Sequence, residues 1–145
     1  MKHRLIEATL STLADHGYAD LTLGLVVQRA GVSRGRLLHH FPSRAELLVA
    51  AADHLATTKL DEVRRRSVAL MADGPTGRER VDRAIDLMWA TFQEPPFWAA
   101  MELWNAARTD EALRAALRAP LATLATLEDR HVDAIALAAR GLAVG

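Results

Sequence analysis

The stretch AGVSRGRLLHHF, residues Ala30 to Phe41, combines two arginines and two histidines with a glycine and contains no acidic residue. Between Gln28 and Arg44 the chain has four positive side chains: Arg29, Arg34, Arg36 and Arg44. Positive charge grouped in one segment of a chain with zero formal net charge is typical of a phosphate-contacting module. A solvated helix surface gives the same composition, so charge alone leaves both interpretations open.

Two short helices joined by a glycine turn are expected to position these charges. Thr22 can cap the first helix through its side-chain oxygen, and Gly31 is suited to end it. Ser33 can cap the second helix, which Pro42 ends because the residue before proline disfavours helix. Two such helices, the second rich in arginine, are typical of a helix-turn-helix whose second helix enters the major groove of DNA.

The predicted recognition helix needs one side that packs on the scaffold and one that meets DNA. The side expected to pack is apolar: Val32, Leu37 and Phe41. The opposite side carries Arg34, Gly35, Leu38 and His39. Gly35 leaves room for a close approach to DNA, and Arg34 can pair with guanine O6 and N7 or with a phosphate. Arg44 begins a fourth helix, where the free N–H groups and the helix dipole favour a phosphate.

The rest of the chain is also predicted to be helical, because its apolar residues recur three and four positions apart and no strand-like alternation occurs. A first helix should end near Gly17. A long fourth helix should begin at the capping box of Ser43 and Glu46, and a breaker cluster at 72–77 should follow it. Pro95 and Pro96 suit the first turn of a later helix.

The predicted fold is therefore all-α and has two parts. An N-terminal three-helix DNA-binding domain of the helix-turn-helix type is expected at residues 1–47. A fourth helix joins it to a larger helical domain for ligand binding and dimerisation at residues 48–145.

Several classes of protein are disfavoured. The chain has no cysteine, which removes disulfides, thiolate nucleophiles and cysteine zinc sites. It has no apolar run of about 18 residues, so no membrane span is expected. The basic N-terminus lacks the apolar segment of a secretory signal, and a cytoplasmic location is expected.

An enzyme is not expected either, because no phosphate-binding, dinucleotide-binding, zinc-protease or nucleophile-elbow motif is present. We predict no catalytic residue, no cofactor and no metal. Adjacent helical residues such as His39 and His40 point about 100° apart, whereas metal-binding pairs prefer a spacing of four. His131 is expected to be a surface or interface residue.

The segment TLGLVVQRAGVSRGRLLHHFPSRAELL, residues Thr22 to Leu48, resembles the helix-turn-helix of the tetracycline-repressor (TetR/AcrR) family of bacterial transcription regulators. The preceding RLIEATLSTLADHGYADLT resembles that family's first helix and its Gly-Tyr turn. Together the two segments cover about the first third of the chain. The stretch MELWNAARTDEALRAAL, residues Met101 to Leu117, is similar to part of the regulatory domain of some members.

The resemblance implies roles for individual residues. It implies that Thr22 caps helix two and meets a phosphate, that His40 lies near the DNA backbone, and that Tyr18 braces the small domain. The predicted DNA-contacting residues are Thr22, Arg34, Gly35, Arg36, Leu38, His39, His40 and Arg44. Two departures remove polar contacts and put affinity and site preference in doubt. Leu38 replaces the aromatic residue usual in the family, and helix two lacks the charged residues that many members carry near Gly24 and Leu25.

The resemblance also implies a small-molecule site and a dimer interface in the larger domain. The residues predicted to line the ligand site are Trp89, Phe92, Phe97, Trp98, Met101, Glu102, Trp104 and Asn105. Core packing of the aromatic residues, and plain surface exposure of Glu102 and Asn105, are the alternatives. The predicted dimer interface consists of Val132, Ile135, Ala136, Ala139 and Leu142. Members of the family usually continue into one more long helix, so the chain is expected to be incomplete at its C-terminus.

The function predicted from these observations is a homodimeric transcription regulator. It is expected to repress from a near-palindromic operator and to be released by a small, mainly apolar effector. Two alternatives stay open. One is a DNA-binding adaptor without a ligand, and the other is a helical protein-interaction module that has lost DNA binding.

Overall fold

The computed structural model describes residues 1–72, 77–120 and 122 of the 145-residue chain. The five residues predicted to form the dimer interface, and His131, lie outside this part of the chain. Every regular element in the described part is a helix, which confirms the all-α prediction. The helices are α1 (Lys2–Asp20), α2 (Leu23–Ala30), α3 (Arg34–His40), α4 (Arg44–Ala72), α5 (Arg78–Phe92), α6 (Pro95–Thr109) and α7 (111–120).

The short helices begin and end where the local chemistry predicts. The Thr22 hydroxyl oxygen accepts the Leu25 N–H at 3.2 Å, and the Ser33 hydroxyl oxygen accepts the Arg36 N–H at 3.3 Å. Gly31 ends α2 with φ 61° in the left-handed region, which a residue with a Cβ adopts only with strain. These caps and the glycine turn fix where α2 begins and ends and where α3 begins.

The capping box at α4 is only half formed. Ser43 Oγ accepts the Glu46 N–H at 3.1 Å, as predicted. The Glu46 carboxylate, however, contacts the Ser43 hydroxyl at 3.4 Å instead of the backbone N–H. The predicted reciprocal bond is thus replaced by a contact between the two side chains.

α1 contains a break at Gly17, close to where the sequence predicts its end. Gly17 has φ 77° and ψ 171°, and the chain resumes a last helical turn from Tyr18. This backbone conformation is essentially restricted to glycine. The break turns the end of α1 toward α6, whose Glu102 approaches Gly17 closely.

One hydrophobic core extends across the predicted boundary between residues 47 and 48. α6 packs along α1 with its small and apolar side, and α7 closes the same cluster. The largest fully buried side chains are Leu5, Leu13, Leu37, Leu47, Leu48, Leu103, Leu117, Val26, Thr9 and Thr12. Thr9 and Thr12 are buried without penalty because each hydroxyl donates to the carbonyl four residues earlier, at 2.8 and 2.7 Å.

The side of α5 on which its apolar residues recur at helical spacing is not buried. None of the α5 residues is classed as buried, and Ile85 and Trp89 are 43% and 63% exposed. α5 contacts α6 instead through Phe92, whose ring centroid lies 5.0 Å from that of Phe97. The periodicity therefore predicted the helix correctly, whereas packing of this side into a core is not found in the described residues.

Among the described residues, no helix is both long enough and apolar enough to cross a membrane.

Candidate nucleic-acid interface

α3 has the two unlike sides that a recognition helix requires. Leu37 is 0% exposed and Phe41 is 6% exposed, and together they hold the helix on the core. Val32 packs against the same core and is partly buried. The remaining side is open to solvent and contains Arg34, Gly35, Arg36, Leu38 and His39. The side predicted to face DNA is thus the exposed one.

Gly35 leaves space for the DNA backbone to approach, and Thr22 offers a hydroxyl group to it. A Cβ built on Gly35 would have no heavy atom of another element within 4 Å. Thr22 is exposed, and its hydroxyl uses its oxygen to cap α2, so the O–H remains available as a donor. Leu38, 39% exposed, presents an apolar surface on the same side of the domain.

The four arginines of the basic segment divide into two pairs. Arg34 and Arg36 are exposed on α3. Arg29 forms an ion pair with Asp15 of α1 at 2.5 Å. Arg44 donates from Nη2 to the Tyr18 carbonyl oxygen at 3.0 Å, and its guanidinium carbon lies 4.5 Å from the centroid of the Tyr18 ring. The outward charge of this segment therefore comes mainly from α3.

Arg44 is held tightly at the start of α4. Besides the carbonyl bond and the stacking on Tyr18, its Nε is buried without a hydrogen-bond partner. The side chain is half-buried, so a phosphate can reach only part of the guanidinium. The phosphate contact predicted for it stays a prediction, and its observed role is to join α4 to the end of α1.

Two basic residues of α1 also lie near the helix-turn-helix, Lys2 near the end of α3 and Arg4 beside the Gly31 turn, and neither was predicted as a site residue. Arg4 is exposed, and its Nη2 lies 3.0 Å from the place that a Cβ on Gly31 would occupy. Lys2 is close enough to influence His40, whose pKa is lowered by desolvation first and then by the charges of His39, Lys2 and others. The basic residues in the N-terminal sequence MKHR were the available signal for this part of the site, but only the fold shows that they lie near the helix-turn-helix.

Glu102, predicted as a ligand residue, lies against the DNA-binding part. Its Oε2 accepts the Tyr18 N–H at 2.7 Å, across 84 positions of sequence. Tyr18 therefore has Glu102 of α6 on its N–H and Arg44 of α4 on its carbonyl and ring. We call Glu102, Tyr18 and Arg44 the junction. It connects three helices through a single residue.

The other predicted ligand residues of α6 lie on its outer side. Helical spacing places them opposite Ala99 and Leu103, which are buried against α1. They are Phe97, Trp98, Met101, Trp104 and Asn105. Trp98 and Trp104 are 55% and 47% exposed, and Trp98 makes an edge contact with Phe97 at 5.4 Å. We call this surface, together with Trp89 and Phe92 of α5, the aromatic side.

A groove of about 290 Å³ lies elsewhere, between α1, α4 and the start of α6. None of the predicted ligand residues lines it. Its walls include Lys59, which is paired with Glu62 at 2.9 Å and also with Glu94. The hydrogen bond from Lys59, with a second one from Arg66, holds the pKa of Glu94 below its usual value despite partial desolvation. These ion pairs connect α4 to the first residues before α6.

Comparison with known proteins identifies the N-terminal part. Residues 5–51 match the family model described as bacterial regulatory proteins, tetR family. The HTH-type transcriptional regulator CymR of Pseudomonas putida is 34% identical over 111 residues, which cover 77% of this chain and 53% of that protein. The chain spans about half the length of the curated relatives it matches.

Two solved structures share the architecture. A TetR-family transcriptional regulator from Rhodococcus sp. superimposes with a TM-score of 0.63 at 28% identity, over 94% of this chain and 70% of that one. A transcriptional regulator from Saccharomonospora viridis, crystallised in complex with choline, gives a TM-score of 0.69 at 20% identity. That likeness covers 97% of this chain and 69% of that one, and it concerns the fold alone.

The matched segment contains α2, α3 and the start of α4, and therefore includes the caps, the Gly31 turn and the exposed side of α3. The family model describes regulatory proteins. The helix-turn-helix domain at residues 5–51 therefore belongs to the tetR family of bacterial regulatory proteins.

Proposed function

We propose that the chain is a transcription regulator that binds operator DNA as a homodimer and represses from it. The observation that carries this proposal is the structure of α3, which Leu37 and Phe41 hold on the core while Arg34 and Arg36 face solvent. Lys2 and Arg4 extend the positive surface to one side of α3, and Arg44 lies at the start of α4. A dimer would present two such surfaces to a near-palindromic site.

Replacing Arg34 and Arg44 separately tests this assignment. If Arg34 reads a base, Arg34→Ala removes about 1–3 kcal/mol of discrimination at one base pair and relaxes specificity there. If Arg44 meets a phosphate, Arg44→Ala weakens all sequences about equally and lowers the salt slope of affinity by about one. Fluorescence anisotropy with a set of single-substituted operators, at several salt concentrations, measures both quantities.

Arg114→Ala provides a matched control, because Arg114 is an exposed arginine of α7, outside the proposed interface. Arg44 also holds Tyr18, so the unfolding temperature of each variant is recorded beside its affinity. Equal losses from Arg34→Ala and Arg44→Ala across all operator variants would show that Arg34 does not read a base.

The aromatic side is proposed to bind a small, mainly apolar effector. Three tryptophans with exposed fractions of 47–63% present large apolar surface with an indole N–H as a polar handle. Asn105 lies on the same side of α6 and can orient a polar group of the ligand. Core packing, the alternative for the aromatic residues, is not what the described residues show for Trp89, Trp98 and Trp104.

Effector binding would change the affinity for DNA through the junction as well as through α4. α6 carries Glu102 on one flank and the aromatic side on another, so a ligand that displaces α6 also displaces the hydrogen bond to Tyr18. Tyr18 in turn holds Arg44 at the start of α4. A ligand can release the protein from DNA only if it binds more tightly to the arrangement in which the two DNA-binding domains of the dimer no longer fit the operator.

Thermal melts of the full chain with a panel of small apolar molecules test the effector proposal, with choline added as a cationic member. A compound that raises the unfolding temperature of the wild type, and does so less in Trp98→Ala, supports it. The same compound should lower operator affinity. If no compound in the panel shifts the melt while operator binding is intact, the adaptor without a ligand becomes the better description.

A further inference from the structure

Three side chains suited to bind a metal meet where α1 packs against α4. His3 and Glu7 are one helical turn apart on α1, and His54 belongs to α4. Glu7 Oε1 lies 2.9 Å from His54 Nε2 and 3.7 Å from His3 Nε2. The three ligand atoms all lie within 4.8 Å of one another. We propose that His3, Glu7 and His54 form a Zn²⁺ site that joins α1 to α4.

The separations fit a shared ion. Zinc binds imidazole nitrogen and carboxylate oxygen at about 2.0–2.2 Å, so neighbouring ligand atoms of a tetrahedral site are about 3.4 Å apart. This value lies between the 2.9 Å from Glu7 to His54 and the 3.7 Å from Glu7 to His3. The contact between Glu7 and His54 is a normal hydrogen bond, whereas the 3.7 Å from His3 to Glu7 is too long for one. Both imidazoles nevertheless direct the same nitrogen at the same carboxylate oxygen.

The types of the three ligand atoms favour zinc over calcium and magnesium. Two imidazoles and one carboxylate are a recognised set for zinc sites that keep a fourth position for water, whereas Ca²⁺ and Mg²⁺ prefer oxygen ligands alone. The exposed side-chain fractions are 72% for His3, 51% for Glu7 and 26% for His54, which leaves room for that water. Few backbone changes are needed, because the i, i+4 spacing on α1 already brings two ligands together.

On the groove side, the surroundings do not oppose a cation. His54 and Glu7 lie on the wall of the 290 Å³ groove that also contains Lys59. Lys59 is the positive side chain on that wall, and its ammonium is engaged by the carboxylates of Glu62 and Glu94. Its charge is therefore offset next to the proposed site.

Zinc binding would fix the first turn of α1 on α4. That turn carries Lys2 and Arg4, which flank His3 in sequence and lie beside α3. The proposed site thus stands outside the DNA-contacting residues and adjoins them. It was not predicted from the sequence, because 47 positions separate Glu7 from His54.

Isothermal titration of Zn²⁺ into the full chain at neutral pH tests the proposal. One ion per chain is expected, and His3→Ala, Glu7→Gln and His54→Ala should each weaken binding about tenfold or more. His16→Ala is the matched control, because His16 is an exposed histidine of α1 outside the cluster, and it should bind as the wild type does. Co²⁺ in place of Zn²⁺ should give the visible absorption of a tetrahedral ion in the wild type and lose it in Glu7→Gln.

The unfolding temperature gives a second readout. Zn²⁺ should raise it in the wild type and in His16→Ala, and not in the three cluster variants. Absence of binding to the wild type, or wild-type affinity in Glu7→Gln or His54→Ala, would overturn the proposal. Loss of binding in His3→Ala alone would also overturn it, since the metal would then be held by His3 and the backbone nitrogens before it. Circular dichroism of each variant confirms that it is folded.

Discussion

Replacing Leu37 by alanine is expected to lower the free energy of unfolding by about 2–5 kcal/mol and to remove operator binding. Leu37 is 0% exposed and is the buried side chain of α3 itself. Its loss removes buried apolar surface and leaves a cavity beneath the recognition helix. Because the helix has only seven residues, it depends on this packing to stay ordered. Urea denaturation followed by circular dichroism measures the effect.

Leu38→Ala is the matched control for Leu37→Ala. The two residues are neighbours and the substitution is the same, but Leu38 is 39% exposed. Its change in unfolding free energy should stay within about 0.5 kcal/mol, because surface substitutions away from packing features are nearly neutral. Similar losses of stability from both variants would contradict the two-sided arrangement of α3.

Replacing Gly17 by alanine is expected to cost about 1–3 kcal/mol of stability and to loosen α1 from α6. Gly17 has φ 77° and ψ 171°, a region that is strained for any residue with a Cβ. The new methyl would also lie 3.1 Å from Glu102 Oε2, the atom that accepts the Tyr18 N–H at 2.7 Å. The backbone strain and the displaced carboxylate act on the same junction.

Gly35→Ala is the control that shows whether a glycine-to-alanine substitution lowers stability by itself. Gly35 lies inside α3 with open space at its Cβ position, so the change should leave stability unchanged or raise it by about 0.5–1 kcal/mol. A double-mutant cycle of Gly17→Ala with Glu102→Ala then measures the coupling between the two residues. Additive effects in that cycle, or a neutral Gly17→Ala, would show that Glu102 does not depend on the break in α1.

Local signals in the sequence were enough to locate the DNA-binding elements. Thr22 and Ser33 act on backbone groups within a few residues, and each was predicted as a cap that the structure contains. Gly31 and Gly17 likewise mark turns by their own conformational freedom. Such features depend on sequence neighbours alone, so the pattern of residue types carries them.

Contacts between distant parts of the chain could not be predicted in this way. Arg29 and Arg44 were counted with Arg34 as outward charge, yet they bind Asp15 and Tyr18. The apolar residues of α5 recur at helical spacing, but periodicity does not tell what covers the side that they form. It remains largely exposed in the described residues.

The predicted ligand set shows the same limit. Helical spacing grouped Glu102 with Asn105, which are three positions apart, but a helix in a folded chain can present neighbouring flanks to different partners. Glu102 contacts Tyr18, and Asn105 is exposed on the other flank. Only the packing of α6 on α1 separates the two.

A footprint of the full chain on the DNA that flanks its own gene, at two salt concentrations, tests the central claim most directly. We expect two protected half-sites related by a dyad and about 34–36 Å apart, or a multiple of that distance. We also expect markedly weaker protection at the higher salt concentration, because neutralised phosphates release counterions. No protection at low salt by a protein that circular dichroism shows to be folded would contradict dimeric operator binding through α3.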